Sequence, residues 1–345
     1  MDDTDERHPT SPADGGVPAL EEVREDVWAL AQPMPGGHLA YSFSYLLRRD
    51  DGGVHVIDPG WDSAANWERL LSALTTLTPG RAGADAVTGI IGTHLHPDHV
   101  GLAAHLRAAS GAPLALHGVE RRVLERHSTR LLDLDEALAR LEAWGVPEGR
   151  RRELVGFVDR SPEHLALSVD QDLVDGELLD LPGFRVEVMA TPGHTAGHIC
   201  LRDDERGLLY TGDHVLPTVF AGLGLGGPTA SNPLADYIVS VARLEPYGSY
   251  EALPGHEHRF RGLAERARTC LDHHLVRTRE VAAILEGTTP GSGGPSIWEI
   301  ASRLTWTARW NGLAGLHLLS ALRQTEMHVD FVTAGLPLDG TLPTA

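Results

Sequence analysis

Apolar positions follow two rhythms along this chain. Short runs bounded by glycine or charge, Val27 to Leu30, Ala40 to Leu47 and Val54 to Ile57, predict strands. From Ser63 to Leu77 the spacing lengthens so that Trp67, Leu70, Leu71 and Leu74 share one face, which predicts a helix. Val87 to Thr93 is β-branched and bounded by glycine, as a buried strand should be, and beyond Pro97 the pattern turns helical through Val100, Ala103, Ala104 and Leu106. Residues 119–169 read as helical, with Leu131, Leu134, Leu138, Leu141 and Trp144 as an apolar stripe, and strands resume from Leu173 through Tyr210. Further helices are expected over Ala264 to Leu285, Ser296 to Leu304 and Leu316 to Val332, with Gly287 to Pro295 as a linker. The first twenty residues, carrying Pro9, Pro12, Pro18 and paired glycines, predict a disordered segment.

The strand-to-helix junction after Val87–Thr93 holds the densest chemistry, His94-Leu95-His96-Pro97-Asp98-His99. Positions i and i+2 at a strand end face one side, so His94 and His96 can grip one ion. Asp98 and His99 sit where the helix begins and point differently, so the two pairs can serve two neighbouring ions. Three other strand ends offer donors. Thr191-Pro192-Gly193-His194-Thr195 presents His194, Tyr210-Thr211-Gly212-Asp213 presents a carboxylate able to bridge two cations, and Leu253-Pro254-Gly255-His256 repeats the design.

With all four motifs in order, the chain resembles the metallo-β-lactamase-fold hydrolase superfamily, in its glyoxalase II-like branch. That resemblance implies a four-layer αββα sandwich with metal ligands on loops at one edge of two sheets. It implies that His94, His96 and His194 hold a first metal, that Asp98, His99 and His256 hold a second, and that Asp213 bridges them. Val56-Ile57-Asp58-Pro59-Gly60 also resembles a family element, and Asp58 would orient a ligand histidine. The implied organisation is a disordered 1–20, a catalytic domain over 21–258 with a helical lid insertion at 119–169, and a C-terminal helical, winged-helix-like region over 259–345. Two divalent cations about 3.5–4 Å apart activate a shared water as the nucleophile and polarise the oxygen under attack. Asp98 is then placed to accept the nucleophile's proton as well as to ligate. Imidazole and carboxylate donors without cysteine favour zinc and also admit iron or manganese.

The remaining histidines are expected to play supporting parts. His198, His214 and His258 neighbour the expected ligands, His214 being the one closest to a pocket role, while His117 reads as structural and His273-His274 as a solvated helix face. Composition narrows the partners. A net charge of -19 disfavours nucleic acid, and Arg150-Arg151-Arg152, flanked by glutamates, reads as a solvated helix start. No apolar stretch is long enough to span a bilayer and the first sixteen residues lack a signal-peptide core, so a cytoplasmic location is expected. The two cysteines, Cys200 and Cys270, carry no ligand spacing. A small acyl thioester or ester is the expected substrate. Lactone hydrolysis, RNA cleavage suggested by the tail, and an iron-dependent persulfide dioxygenase-like activity are the competing readings.

Overall fold

The computed structural model describes residues 16–35, 39–81, 83–129, 134–158, 167–226, 229–287, 294–306 and 309–341. The expected disorder of 1–20 falls mostly outside them, as do most of the linker, residues 227–228, and residues 130–133 and 159–166 of the insertion.

A seven-stranded sheet is built in strand order from β1 (Glu21–Arg24), β2 (Val27–Pro33), β3 (Tyr41–Arg48), β4 (Val54–Ile57), β5 (Val87–Ile91), β6 (Leu114–His117) and β7 (Gln171–Leu173). The first four strands are antiparallel and the pairs from β4 to β7 are parallel. The first strand starts at Glu21, earlier than the apolar pattern indicates. A smaller sheet runs β11-β10-β9-β8, from β8 (Val186–Ala190), β9 (Ile199–Asp203), β10 (Leu208–Gly212) and β11 (Glu251–Pro254), with only β10 and β11 parallel.

Period-two alternation sorts the side chains into layers. Trp28, Leu30, Leu46, Val54 and Val56 face outward, against α1 (Ala64–Leu77) and α3 (Ala103–Ser110). Val27, Ala29, Ala31, Phe43, Tyr45, Leu47 and Ile57 face inward, against Val186, Val188, Ile199, Leu201, Leu208 and Tyr210 of the small sheet. The other face of that sheet, with Met189, Cys200, Leu209 and Ala252, packs on α7 (Pro233–Ala242) and α8 (Leu263–Glu286). Each large side chain buried in these layers stabilises the fold by about 1.5–3 kcal/mol. The result is the expected αββα sandwich, with Cys200 in a core strand.

The insertion forms α4 (Gly118–Thr129), α5 (Leu134–Ala143) and α6 (Glu148–Val158). Leu141, Trp144 and Leu154 share an apolar cluster with Ala301 of α9 (Ile297–Ala301) and with Leu318, Leu319 and Leu322 of α10 (Gly315–Thr333), and the tail tryptophans 298, 306 and 310 pack against it. Beyond Gly262 the described residues contain helices and no strand. Arg152 pairs with Glu148 at the surface as expected, whereas Arg150, paired with Glu153, is half-buried and donates to the Leu313 carbonyl at 2.9 Å. One expectation is corrected: His274 is 2% exposed, because α8 is covered by α7 on one side and α10 on another. Among the described residues no helix is long and apolar enough to cross a membrane.

Candidate metal centre

The large sheet delivers the first donors. β5 ends at Ile91, two residues short of the expected Thr93, and His94 to His96 form a turn that Pro97 closes by opening α2 (Pro97–Val100). His94 Nε2 and His194 Nε2 each lie 3.0 Å from His96 Nδ1, although His194 follows β8, in the other sheet. Asp98 and His99 project from α2 toward His256, whose backbone bridges to Ser42 of β3 and so joins the two sheets at this edge. Asp213, just past β10, stands between the groups. Its Oδ1 is 3.4 Å from both His99 Nε2 and His256 Nε2, and its Oδ2 is 3.6 Å from His194 Nε2. All seven residues singled out from the sequence therefore converge.

Each imidazole is anchored by the nitrogen that faces away from the cluster. His96 Nε2 donates to the Leu225 carbonyl at 3.2 Å, His194 Nδ1 to the Gly222 carbonyl at 2.6 Å, and His256 Nδ1 to the Tyr41 carbonyl at 2.9 Å. Asp58, buried and held at φ +51°, accepts from His99 Nδ1 at 2.8 Å and from the Thr93 amide and hydroxyl at 2.7 Å each. Since the Thr93 hydroxyl commits its proton to Asp58, it can only accept from His94 Nδ1, 3.0 Å away. Carbonyls and carboxylates do not donate, so in the neutral rings every inward nitrogen carries a bare lone pair.

Such a set of lone pairs and carboxylates calls for positive charge among it, from a metal cation or from protons on the imidazoles. His99 Nε2, His256 Nε2 and Asp213 Oδ1 are buried without a hydrogen-bond partner, as ligand atoms would be. Close approach is also built in: a Cβ on Gly255 would lie 2.4 Å from Asp213 Oδ1 and 2.6 Å from His99 Cε1. The donors fit two divalent cations, His94, His96 and His194 on one side, Asp98, His99 and His256 on the other, and Asp213 between.

Charge sorts the site in the same way. Burial, reinforced by neighbouring rings, pushes His94 well below the usual histidine range and His194 down to about 4. Burial opposes a proton on His99 and His256 too, yet Asp213 and Asp98 outweigh it and raise both, His256 to about 10. Burial would likewise raise the Asp213 carboxyl, but His256 and His99 hold it well below its ordinary value. Two carboxylates thus call for positive charge in the half of the site that a second cation would occupy.

The supporting histidines separate cleanly. His198 accepts the Asp213 amide at 3.1 Å through Nε2 and meets the Thr191 hydroxyl at 2.9 Å through Nδ1, which fixes the bridging residue. His214 is buried against Tyr237 and is not among the converging groups, and burial takes it down to about 3. His258 is not among the converging groups. The glycine-rich segment Phe220 to Gly226 borders the site through the carbonyls of Gly222 and Leu225.

Two residues escaped the sequence reading. Glu120 of α4 is fully buried and accepts the Leu95 and Gly197 amides. Glu257, at φ +70°, accepts the Thr218 and Val219 amides and fixes the loop after Asp213. Neither lies in a recognisable motif.

Two sheets enclosing a core, helices on both outer faces and a histidine and aspartate cluster at one sheet edge define a metallohydrolase scaffold. The family described as the Metallo-beta-lactamase superfamily matches residues 39–256, and the chain belongs to it. An uncharacterized protein of Mycobacterium tuberculosis is 26% identical over 227 residues, 64% of this chain and 88% of its own length. The atrochrysone carboxyl ACP thioesterase of Aspergillus fumigatus is 24% identical over 231 residues, 67% of this chain and 56% of that protein. A metallo-beta-lactamase family protein from Thermus thermophilus is 28% identical with a TM-score of 0.73, covering 91% of this chain and 95% of that one. That likeness extends past the family-matched segment into the C-terminal helices. The chain is an enzyme of a superfamily of metal-dependent hydrolases.

Proposed function

We propose that this protein hydrolyses a small acyl thioester, with His94, His96 and His194 holding one divalent cation, Asp98, His99 and His256 a second, and Asp213 both. The observation that carries the reading is the convergence of bare imidazole lone pairs and two carboxylates on one buried point, each anchored from behind. Zinc suits these donors best. Bound there, two such cations lower the pKa of water and polarise the carbonyl under attack.

The chain's own groups do the rest. Asp98 is the most solvent-facing of the carboxylates, its side chain 16% exposed, with Oδ2 3.2 Å from His256 Nε2. Burial opposes its charge, but His99 and His256 hold it ionised, and as the unprotonated carboxylate nearest solvent it is the group we assign to receive the proton that an attacking water gives up. A departing thiolate, with a conjugate acid near pKa ~8.5, needs no proton donor on the far side. A thioesterase among the relatives supports the substrate class, and segment 119–169 is the cover we assign to acyl selection. Acyl-CoA thioesters of graded chain length, given to metal-replete protein, should release thiol, and His96→Ala should not. Equal release by the two proteins would refute the proposal.

A further inference from the structure

Glu120 is unusual in being a fully buried carboxylate whose hydrogen bonds involve no cationic side chain, placed where two ligand-bearing turns meet. Its Oε2 accepts the Leu95 amide at 3.0 Å, between His94 and His96. Its Oε1 accepts the Gly197 amide at 2.6 Å, three residues beyond His194. Gly197 is shaped for this: a Cβ there would lie 2.7 Å from Oε1 and 2.8 Å from both the Glu120 Cγ and amide nitrogen. The contacts therefore run from the first turn of the insertion across both sheets' ligand loops, and each oxygen has its own donor.

We infer that Glu120 is a positioning residue that sets the spacing between the His94/His96 turn and the His194 turn, and so tunes the three-histidine set alone. This rests on the reading of those histidines as a metal site. Among the described residues the hydrogen bonds of Glu120 go to the Leu95 and Gly197 amides and none reaches Asp98, His99 or His256, so the second set serves as an internal control. Glutamine is not an adequate substitute. Its single carbonyl oxygen can take one amide, and its NH2 then faces the other N–H, donor against donor.

The test uses cobalt(II) as the probe ion, in competition with a chromophoric chelator, on the full chain in two backgrounds. His256→Ala leaves the three-histidine set, and His96→Ala leaves the set of Asp98, His99 and His256. Adding Glu120→Gln should weaken cobalt binding about 10–100-fold in the first background, alter the visible cobalt spectrum there, and change neither in the second. Equal affinities with and without Glu120→Gln in the first background would overturn the inference, as would equal losses in both, which would mark a merely structural role. If Glu120→Gln fails to fold, Gly197→Ala displaces the same carboxylate and must give the same one-sided loss. Failure of His256→Ala protein itself to bind cobalt would instead overturn the ligand reading, and the inference with it.

Discussion

Asp58 controls proton direction at two of the proposed ligands at once, and Asp58→Asn should reverse it. With its oxygen kept on the Thr93 amide, the new NH2 points both hydrogens at atoms that now donate to Asp58, the Thr93 hydroxyl at 2.7 Å and His99 Nδ1 at 2.8 Å. The relaxed answer is a double switch. The hydroxyl turns its proton toward His94 Nδ1, 3.0 Å away, and the two rings move their own protons to Nε2, the atoms needed for ligation. Two hydrogen bonds to a charged group, at about 1.5–3 kcal/mol each, set the ceiling on the cost, and rearrangement recovers part of it. What remains should be about 1.4–2.7 kcal/mol per ion, a 10–100-fold loss of affinity in both halves of the site. Chelator competition on folded apoprotein measures it. Affinities equal to wild type in a folded Asp58→Asn protein would refute the reasoning, because no tautomer compatible with the asparagine leaves both Nε2 atoms bare.

Gly255→Ala puts a methyl group 2.4 Å from Asp213 Oδ1, so the purified variant should retain less than the wild-type metal by elemental analysis while the sandwich stays folded. Acid should destabilise the apoprotein through buried neutral histidines. Burial lowers His328 to about 3, so between that value and the unfolded value the unfolded chain binds more protons and stability falls as pH falls. From pH 6.5 to 5 this amounts to about 1.6 kcal/mol for the one residue, seen by urea unfolding. His328→Gln should flatten the slope by that amount, and an unchanged slope would count against the assignment.

The histidine and aspartate cluster was legible because its first four donors are local: strand, turn and helix start follow directly from apolar spacing and Pro97. His194, Asp213 and His256 were legible as strand ends with turn chemistry. Their anchors were not. The carbonyls of Tyr41, Gly222 and Leu225 belong to the backbone, which every residue carries, so no side-chain pattern marks them. Glu120 sits beside Arg121 and Arg122 at a helix start and looks solvated until the tertiary fold brings Gly197 against it. β1 was hidden because an edge strand with Glu21 and Glu22 exposed buries only Val23. His274 was misread because α8 is covered by two helices that the periodicity of α8 alone does not announce.

The apolar cluster shared by α5, α6, α9 and α10 bears on how this protein can be cut. Leu141, Trp144 and Leu154 come from the middle of the chain, and Leu318, Leu319 and Leu322 from its far end, yet each set is the other's shield from water. A chain trimmed at residue 256, where the family match stops, would keep every expected ligand and uncover that greasy face. Minimal versions of this enzyme should therefore be sticky and chaperone-dependent, and lineages that shed the tail should have shed or rebuilt the insertion with it.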